Sequence, residues 1–214
     1  MKKSKQPIAI IGAGGFGREV VQLIKDINQV TSQWEVLGFI DDNPDLAGTA
    51  INDLPVLGGL DWLKDHPETQ AILAVGSPQA KQAMVQQLAP YHLTYPNLIH
   101  PRAVIGDDLI LGEGNIITAG VILTVNIRLG SHLSIHTNAT IGHDSVVEDY
   151  GTILPNVSIA GNVTLHEGVL MGANATIIQQ LDVAAGTVIG AGATVVRSIP
   201  EACTVVGTPA QPIR

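Results

Sequence analysis

From Ile99 onward an aliphatic side chain or methionine returns at every sixth position. Seventeen such positions, from Ile99 through Ile117, Ile135, Ile153 and Met171 to Val195, keep this register without an exception. Neither the helical period nor strand alternation generates a period of six, whereas an internal repeat does. The third residue after the aliphatic one is often Asp, Asn or Gly, as at Asp108, Asn126, Asn138, Asp144, Asn156 and Gly168. These types tolerate a left-handed backbone, so each hexapeptide ends in a tight corner. The fourth residue is small or aliphatic, as at Val121, Ala139 and Ala175, and can point inward beside the first. Three hexapeptides then close a triangular coil, and about five coils stacked at ~4.8 Å make a prism. The prediction for residues 98–214 is therefore a parallel β-helix.

Stacking makes residues 18 apart neighbours, so Asn138, Asn156 and Asn174 form one column and Asn126, Asp144 and Asn162 another. Both columns are expected to be corner residues with amide ladders between them. His132 and Tyr150 share a column and are expected to stack. A prism with flat outer faces pairs with copies of itself, and threefold association is the natural closure.

Residues 1–97 follow another grammar. Ile8-Ala9-Ile10-Ile11 runs into Gly12-Ala13-Gly14-Gly15-Phe16-Gly17, and helical spacing follows from Glu19 to Ile27. Val36–Ile40 ends in Asp41-Asp42, and Ala71–Val75 precedes a second helical stretch from Gln79 to Leu88. Strand, glycine turn and helix in this order predict a small parallel α/β sheet. Gly12, Gly14 and Gly17 complete a dinucleotide-type fingerprint, but 97 residues hold only a Rossmann-like half domain. The glycine turn and the helix N-terminus are read as a seat for the phosphates or sugar of an acceptor.

Composition narrows the partners. Eleven basic against nineteen acidic residues give a net charge of −8, which argues against nucleic acid. Cys203 is the single cysteine, so an internal disulfide or a multi-cysteine zinc site is excluded. No stretch reaches the ~20 apolar residues of a membrane span. A cytoplasmic protein is expected.

Three segments resemble a known family. They are Ile10–Gly17 with Gly38-Phe39-Ile40-Asp41-Asp42, the block Ile135–Asp144, and the tail Val205-Val206-Gly207-Thr208-Pro209-Ala210. Together they resemble the left-handed β-helix hexapeptide acyltransferases, and more narrowly the sialic acid O-acetyltransferase and bacillosamine-type sugar N-acetyltransferase group. The resemblance implies a homotrimer with active sites between adjacent prisms and a role in polysaccharide biosynthesis. It implies acetyl-CoA lying along the prism, a sugar or nucleotide-sugar acceptor held partly by the N-terminal domain, and no metal.

Acyl transfer needs a base for the acceptor's proton, and imidazole suits that near neutral pH. His143, followed by Asp144, stands on an outward corner and matches the family's His–acid pair. Asp144 would orient the ring, as the third member of a triad does. Gly161, one coil beyond, would offer its N–H to the thioester oxygen. Ala173 and Ala191 are candidates for lining the pantetheine arm, and Arg197 for a coenzyme A phosphate, because residues 99–214 contain no lysine. The family's usual lysine after Pro-Ala is Gln211 here. Gly12, Gly14, Phe16, Asp41, Asp42 and His136 are the acceptor-side candidates. Phe16 replaces a histidine of many relatives, His136 a frequent asparagine, and Thr152 a second histidine of some N-acetylating relatives. Direct attack in a ternary complex is expected rather than a covalent route through Cys203. Two other readings compete. One is a trimeric zinc enzyme of the carbonic anhydrase type using His132, His136 and His143; the other is a non-catalytic nucleotide-sugar-binding subunit.

Overall fold

The computed structural model describes residues 4–213. Its N-terminal unit contains β1 (Gln6–Ile11), α1 (Gly15–Thr31), β2 (Trp34–Ile40), β3 (Ala50–Ile51), β4 (Leu54–Gly58), β5 (Gln70–Leu73) and α2 (Pro78–Leu88). The sheet order is β3-β4-β2-β1-β5, with β1 parallel to both β2 and β5. β1 lies between β2 and β5, and its run Ile8–Ile11 is buried on both faces, as a parallel strand between layers requires. α1 buries Val20, Leu23, Ile24 and Ile27, one stripe at helical spacing. The short antiparallel pair β3–β4 had no counterpart in the sequence prediction. Its turn, Asn52-Asp53, has positive φ at both residues (49° and 65°), the geometry of a two-residue hairpin.

The second unit is a parallel β-helix of three sheets. The first face stacks Leu98–Ile99, Ile116–Ile117, Ser134–Ile135, Thr152–Ile153, Leu170–Met171 and Val188–Ile189. The second runs from Val104–Ile105 to Thr194–Val195, and the third from Ile110–Leu111 to Asp182–Val183. Partners are 18 residues apart, as in Ile135↔Ile153↔Met171, so the sixth-position residues form one continuous core. The predicted corner residues Asp108, Asn126, Asn138, Asp144, Asn156, Asn162 and Asn174 all have φ between 55° and 59°. His132, Tyr150 and Gln180 adopt the same conformation without being turn-favouring types, because stacking on the neighbouring coils dictates it.

The period departs from expectation at both ends. Ile105, in the first coil, is 38 % exposed because no coil lies beneath it. At the other end Ile189 pairs with Val205 and Val183 bridges Ile199, so the last coil has lost two residues. An antiparallel pair, Thr204–Val206 with Gln211–Ile213, finishes the first face.

The N-terminal unit sits on the first face. Leu98 and Ile116 join its core, and Ser134 and Thr152 are buried beneath it. Thr152 Oγ1 donates to the Gly76 carbonyl (2.9 Å), and Gln82 on α2 donates to Glu167 (2.6 Å). His100 pairs with Asp26 of α1 at 3.2 Å.

Candidate active site

The edge between the second and third faces carries Val125, His143, Gly161, Gln179 and Arg197 in successive coils. His143 Nδ1 meets Asp144 Oδ2 at 2.6 Å, and both side chains are exposed. Asn126 Nδ2, one coil below, donates to the other Asp144 oxygen (3.0 Å). The hydrogen bond from His143, then that from Asn126, holds the Asp144 carboxyl below its ordinary pKa. An ionised Asp144 that binds Nδ1 fixes the ring's tautomer and leaves Nε2 free to take a proton.

The imidazole lies directly over Gly161. A Cβ at Gly161 would stand 2.5 Å from His143 Nε2, so no other residue clears the ring. Among the described residues nothing accepts from the Gly161 N–H. Arg197 is exposed on the same edge, three coils or ~14 Å further along the axis. There it borders a cavity of about 460 Å³ lined by Val196, Cys203, Val205 and Pro209. Cys203 is therefore remote from His143, and a covalent route through it has no geometry to support it.

The edge between the first and second faces carries the other group. His136 stands there, with Ala173 two coils and Ala191 three coils further along. Although it stands at a corner, His136 is not open to solvent. It is 8 % exposed, with Phe16 of the glycine loop against its ring at a centroid distance of 4.5 Å. Burial, reinforced by the charge on Lys81, brings its pKa down to about 4. Its Nε2 is buried and has no hydrogen-bond partner among the described residues.

The three glycines of the loop have different surroundings. Gly12 has φ 106° and approaches the Ala74 carbonyl too closely for a side chain, and a Cβ on Gly17 would collide with the Gly12 carbonyl. Gly14 caps the N-terminus of α1 with open space around it, where a ligand can approach the backbone. The two aspartates need revision. Asp41 accepts from the N–H groups of Ala13 (2.9 Å) and Asn43 (3.0 Å), so both its oxygens serve the loop itself. Asp42 spends one oxygen on the Leu60 N–H (3.0 Å).

The trio considered for zinc does not converge. His132 lies on the edge between the third and first faces, enclosed by Tyr95 (edge-on, 4.9 Å) and Tyr150 (stacked, 5.7 Å). His136 is covered by Phe16, and His143 occupies a third edge, so the first two are closed to a shared ion. Sequence reasoning missed Lys81, which is wholly buried on α2. Its signal was legible: Lys81, Met84, Val85 and Leu88 follow the i, i+3, i+4, i+7 spacing of a buried stripe.

A coiled prism with an orienting carboxylate, an open imidazole nitrogen and a facing glycine N–H defines an acyltransferase of the hexapeptide-repeat class. Residues 7–88 match the family model described as the PglD N-terminal domain. A GDP-perosamine N-acetyltransferase of Escherichia coli is 30 % identical over 96 % of this chain and 95 % of its own length. Among solved structures, the acetyltransferase domain of PglB from Neisseria gonorrhoeae superposes with a TM-score of 0.90 at 31 % identity, covering 98 % of this chain and 100 % of that one. PerB from Caulobacter crescentus, solved with CoA and GDP-perosamine, gives a TM-score of 0.89 at 27 % identity, covering 97 % of each chain. The chain belongs to this family of bacillosamine-type sugar N-acetyltransferases, and it is an acyltransferase with acetyl-CoA as co-substrate.

Proposed function

We propose that the protein transfers the acetyl group of acetyl-CoA to the amine of a nucleotide-linked 4-amino sugar, with His143 as general base. The carrying observation is the 2.6 Å Asp144–His143 contact with Nε2 placed over the Gly161 backbone. The amine attacks the thioester carbonyl and His143 Nε2 takes its proton. Asp144 stabilises the resulting imidazolium, and the Gly161 N–H meets the negative oxygen of the tetrahedral intermediate. Collapse breaks the carbon–sulfur bond, and the departing thiolate receives the proton back from His143. The GDP-perosamine bound by PerB supports a nucleotide-linked amine acceptor, and so N- over O-transfer.

The two edges bound the second face, so one chain holds its base and its acceptor seat apart. In a threefold assembly with that face toward the axis, the His143–Gly161 edge of one protomer meets the His136–Ala173–Ala191 edge of the next. Exposed Val104 (58 %) and Ile122 (39 %) on the second face support its burial in such a homotrimer. The small Ala173 and Ala191 then line the pantetheine arm, and Arg197 takes a coenzyme A phosphate. Gly12, Gly14, Phe16 and Asp42 hold the nucleotide sugar, while Asp41 holds the loop. Among the described residues no helix is long and apolar enough to cross a membrane, and the co-substrate agrees with work in the cytoplasm on the way to polysaccharide.

The test is thiol release from acetyl-CoA with GDP- and UDP-linked 4-amino sugars, 3-amino sugars and sialic acid. His143→Ala should lower kcat by at least ~100-fold with the best acceptor, because general-base groups contribute on that scale. Turnover that survives in the variant would remove His143 as the base.

A further inference from the structure

Lys81 is fully buried where α2 meets the first face of the prism. Its Nζ donates to the Gly151 carbonyl (2.9 Å) and to Ser134 Oγ (3.4 Å). None of the ion pairs among the described residues includes it. A buried ammonium that pairs only with neutral groups is expensive, and burial pulls its pKa down to about 7. No other titratable side chain stands on α2. Facing it from the prism are His136 on one side and His132 on the other, with Asp149 acting on His132 and with Tyr95 and Tyr150 packed on that ring.

Ser134 and His136 flank Ile135, so strand alternation turns both outward on the same face, roughly 7 Å apart. An ammonium anchored on Ser134 therefore stands beside the His136 ring. That ring presents a buried Nε2 without a partner, beside Phe16 at the mouth of the glycine loop. A buried polar atom left unpaired calls for a group that completes it.

We propose that Lys81 is a positioning residue for the acceptor: held by Gly151 and Ser134, it adds its charge to the burial that keeps His136 a neutral imidazole, whose Nε2 accepts a hydrogen bond from the acceptor's amine. This rests on the reading of Phe16 and His136 as the acceptor seat. A neutral ring with its proton on Nδ1 offers a lone pair at Nε2, whereas a protonated ring only donates. Accepting one amine N–H leaves the nitrogen lone pair free to face the thioester of the neighbouring protomer. Protonated His136 would instead donate its Nε2–H to the amine's lone pair and take that pair away from the thioester.

The experiment follows the histidine nitrogens of the full-length protein by NMR between pH 4 and 8, with His136→Asn as the assignment control. Wild type should keep His136 neutral down to about pH 4. Lys81→Met and Lys81→Gln, of which one folded variant suffices, should raise that titration by about one unit or more, as loss of a neighbouring like charge does. At pH 5 the KM for the amino-sugar acceptor should rise in the same neutral variants relative to wild type, while KM for acetyl-CoA stays put. Lys81→Arg, which keeps the charge, should titrate like wild type. An unchanged His136 titration in the neutral variants overturns the role of Lys81. An unchanged acceptor KM in His136→Asn instead overturns the acceptor seat, whatever the titration shows.

Discussion

The two units place their functional groups by opposite rules. In the glycine loop the residue type follows from single contacts: Gly12 is required by the Ala74 carbonyl and Gly17 by the Gly12 carbonyl, whereas Gly14 meets nothing. In the prism the inward column is nearly uniform, and every coil repeats the contacts of the one below. The edge column that carries the proposed base changes residue at every level, from Val125 to His143, Gly161, Gln179 and Arg197. Repetition secures the fold through the inward positions and leaves the outward corners free. Within a repeat, function is therefore found where the column breaks its own habit; in the α/β unit no such internal standard exists.

The largest effect expected from this contrast falls on the inward column. Ile153 is completely buried in a middle coil, paired on both sides. Ile153→Ala should destabilise the protein by about 2–5 kcal/mol, the range for large-to-small core changes. Denaturant midpoints at a fixed protein concentration would show it, with the slope unchanged. A loss below ~1 kcal/mol would mean that the coils relax around the gap, and the uniform column would then not be the source of stability.

Gly161→Ala tests the edge column, with the opposite signature. The residue has ordinary φ, so the added methyl strains no backbone, but it meets His143 Nε2 at 2.5 Å. The ring must swing away, and displacements of about 1 Å at a reacting group cost up to ~100-fold in rate. We expect kcat to fall between about 10- and 100-fold with the denaturation midpoint held. Equal kcat in variant and wild type would show that the base does not work from the observed rotamer.

How much of this was legible in the sequence follows from the same contrast. The period of six located the core, the left-handed corners and the His143–Gly161 stack, because each depends on neighbours a fixed 18 residues away. Tertiary docking obeys no such interval. Thr152 stands for a second histidine of some N-acetylating relatives, yet its hydroxyl is spent on the Gly76 carbonyl between the units. Nothing in the column of His136 announces that Phe16 covers it. The shortened last coil escaped because Ile199 and Val205 leave the register just where the repeat ends. Lys81 alone carried a local clue, a charge on an apolar stripe.

The smallest effect belongs to the edge between the third and first faces, away from the His143–Gly161 stack. His166 bridges two carboxylates there, Glu148 at 3.1 Å and Asp182 at 3.0 Å. Partial burial pulls its pKa down, but Glu148 and Asp182 together outweigh it and hold the ring above its ordinary value. A folded pKa above the unfolded value of about 6.5 means that the native state holds the proton more tightly. The stabilisation is then complete below that pH and lost as pH rises through the folded value. His166→Asn should lower Tm slightly at pH 5.5 and leave it unchanged at pH 8.5, because exposed ion pairs are worth only about 0–1 kcal/mol. High salt should shrink the difference at pH 5.5. A variant whose deficit persists at pH 8.5 would assign His166 to packing between coils, making this edge part of the uniform, stability-bearing pattern and not a set of free positions.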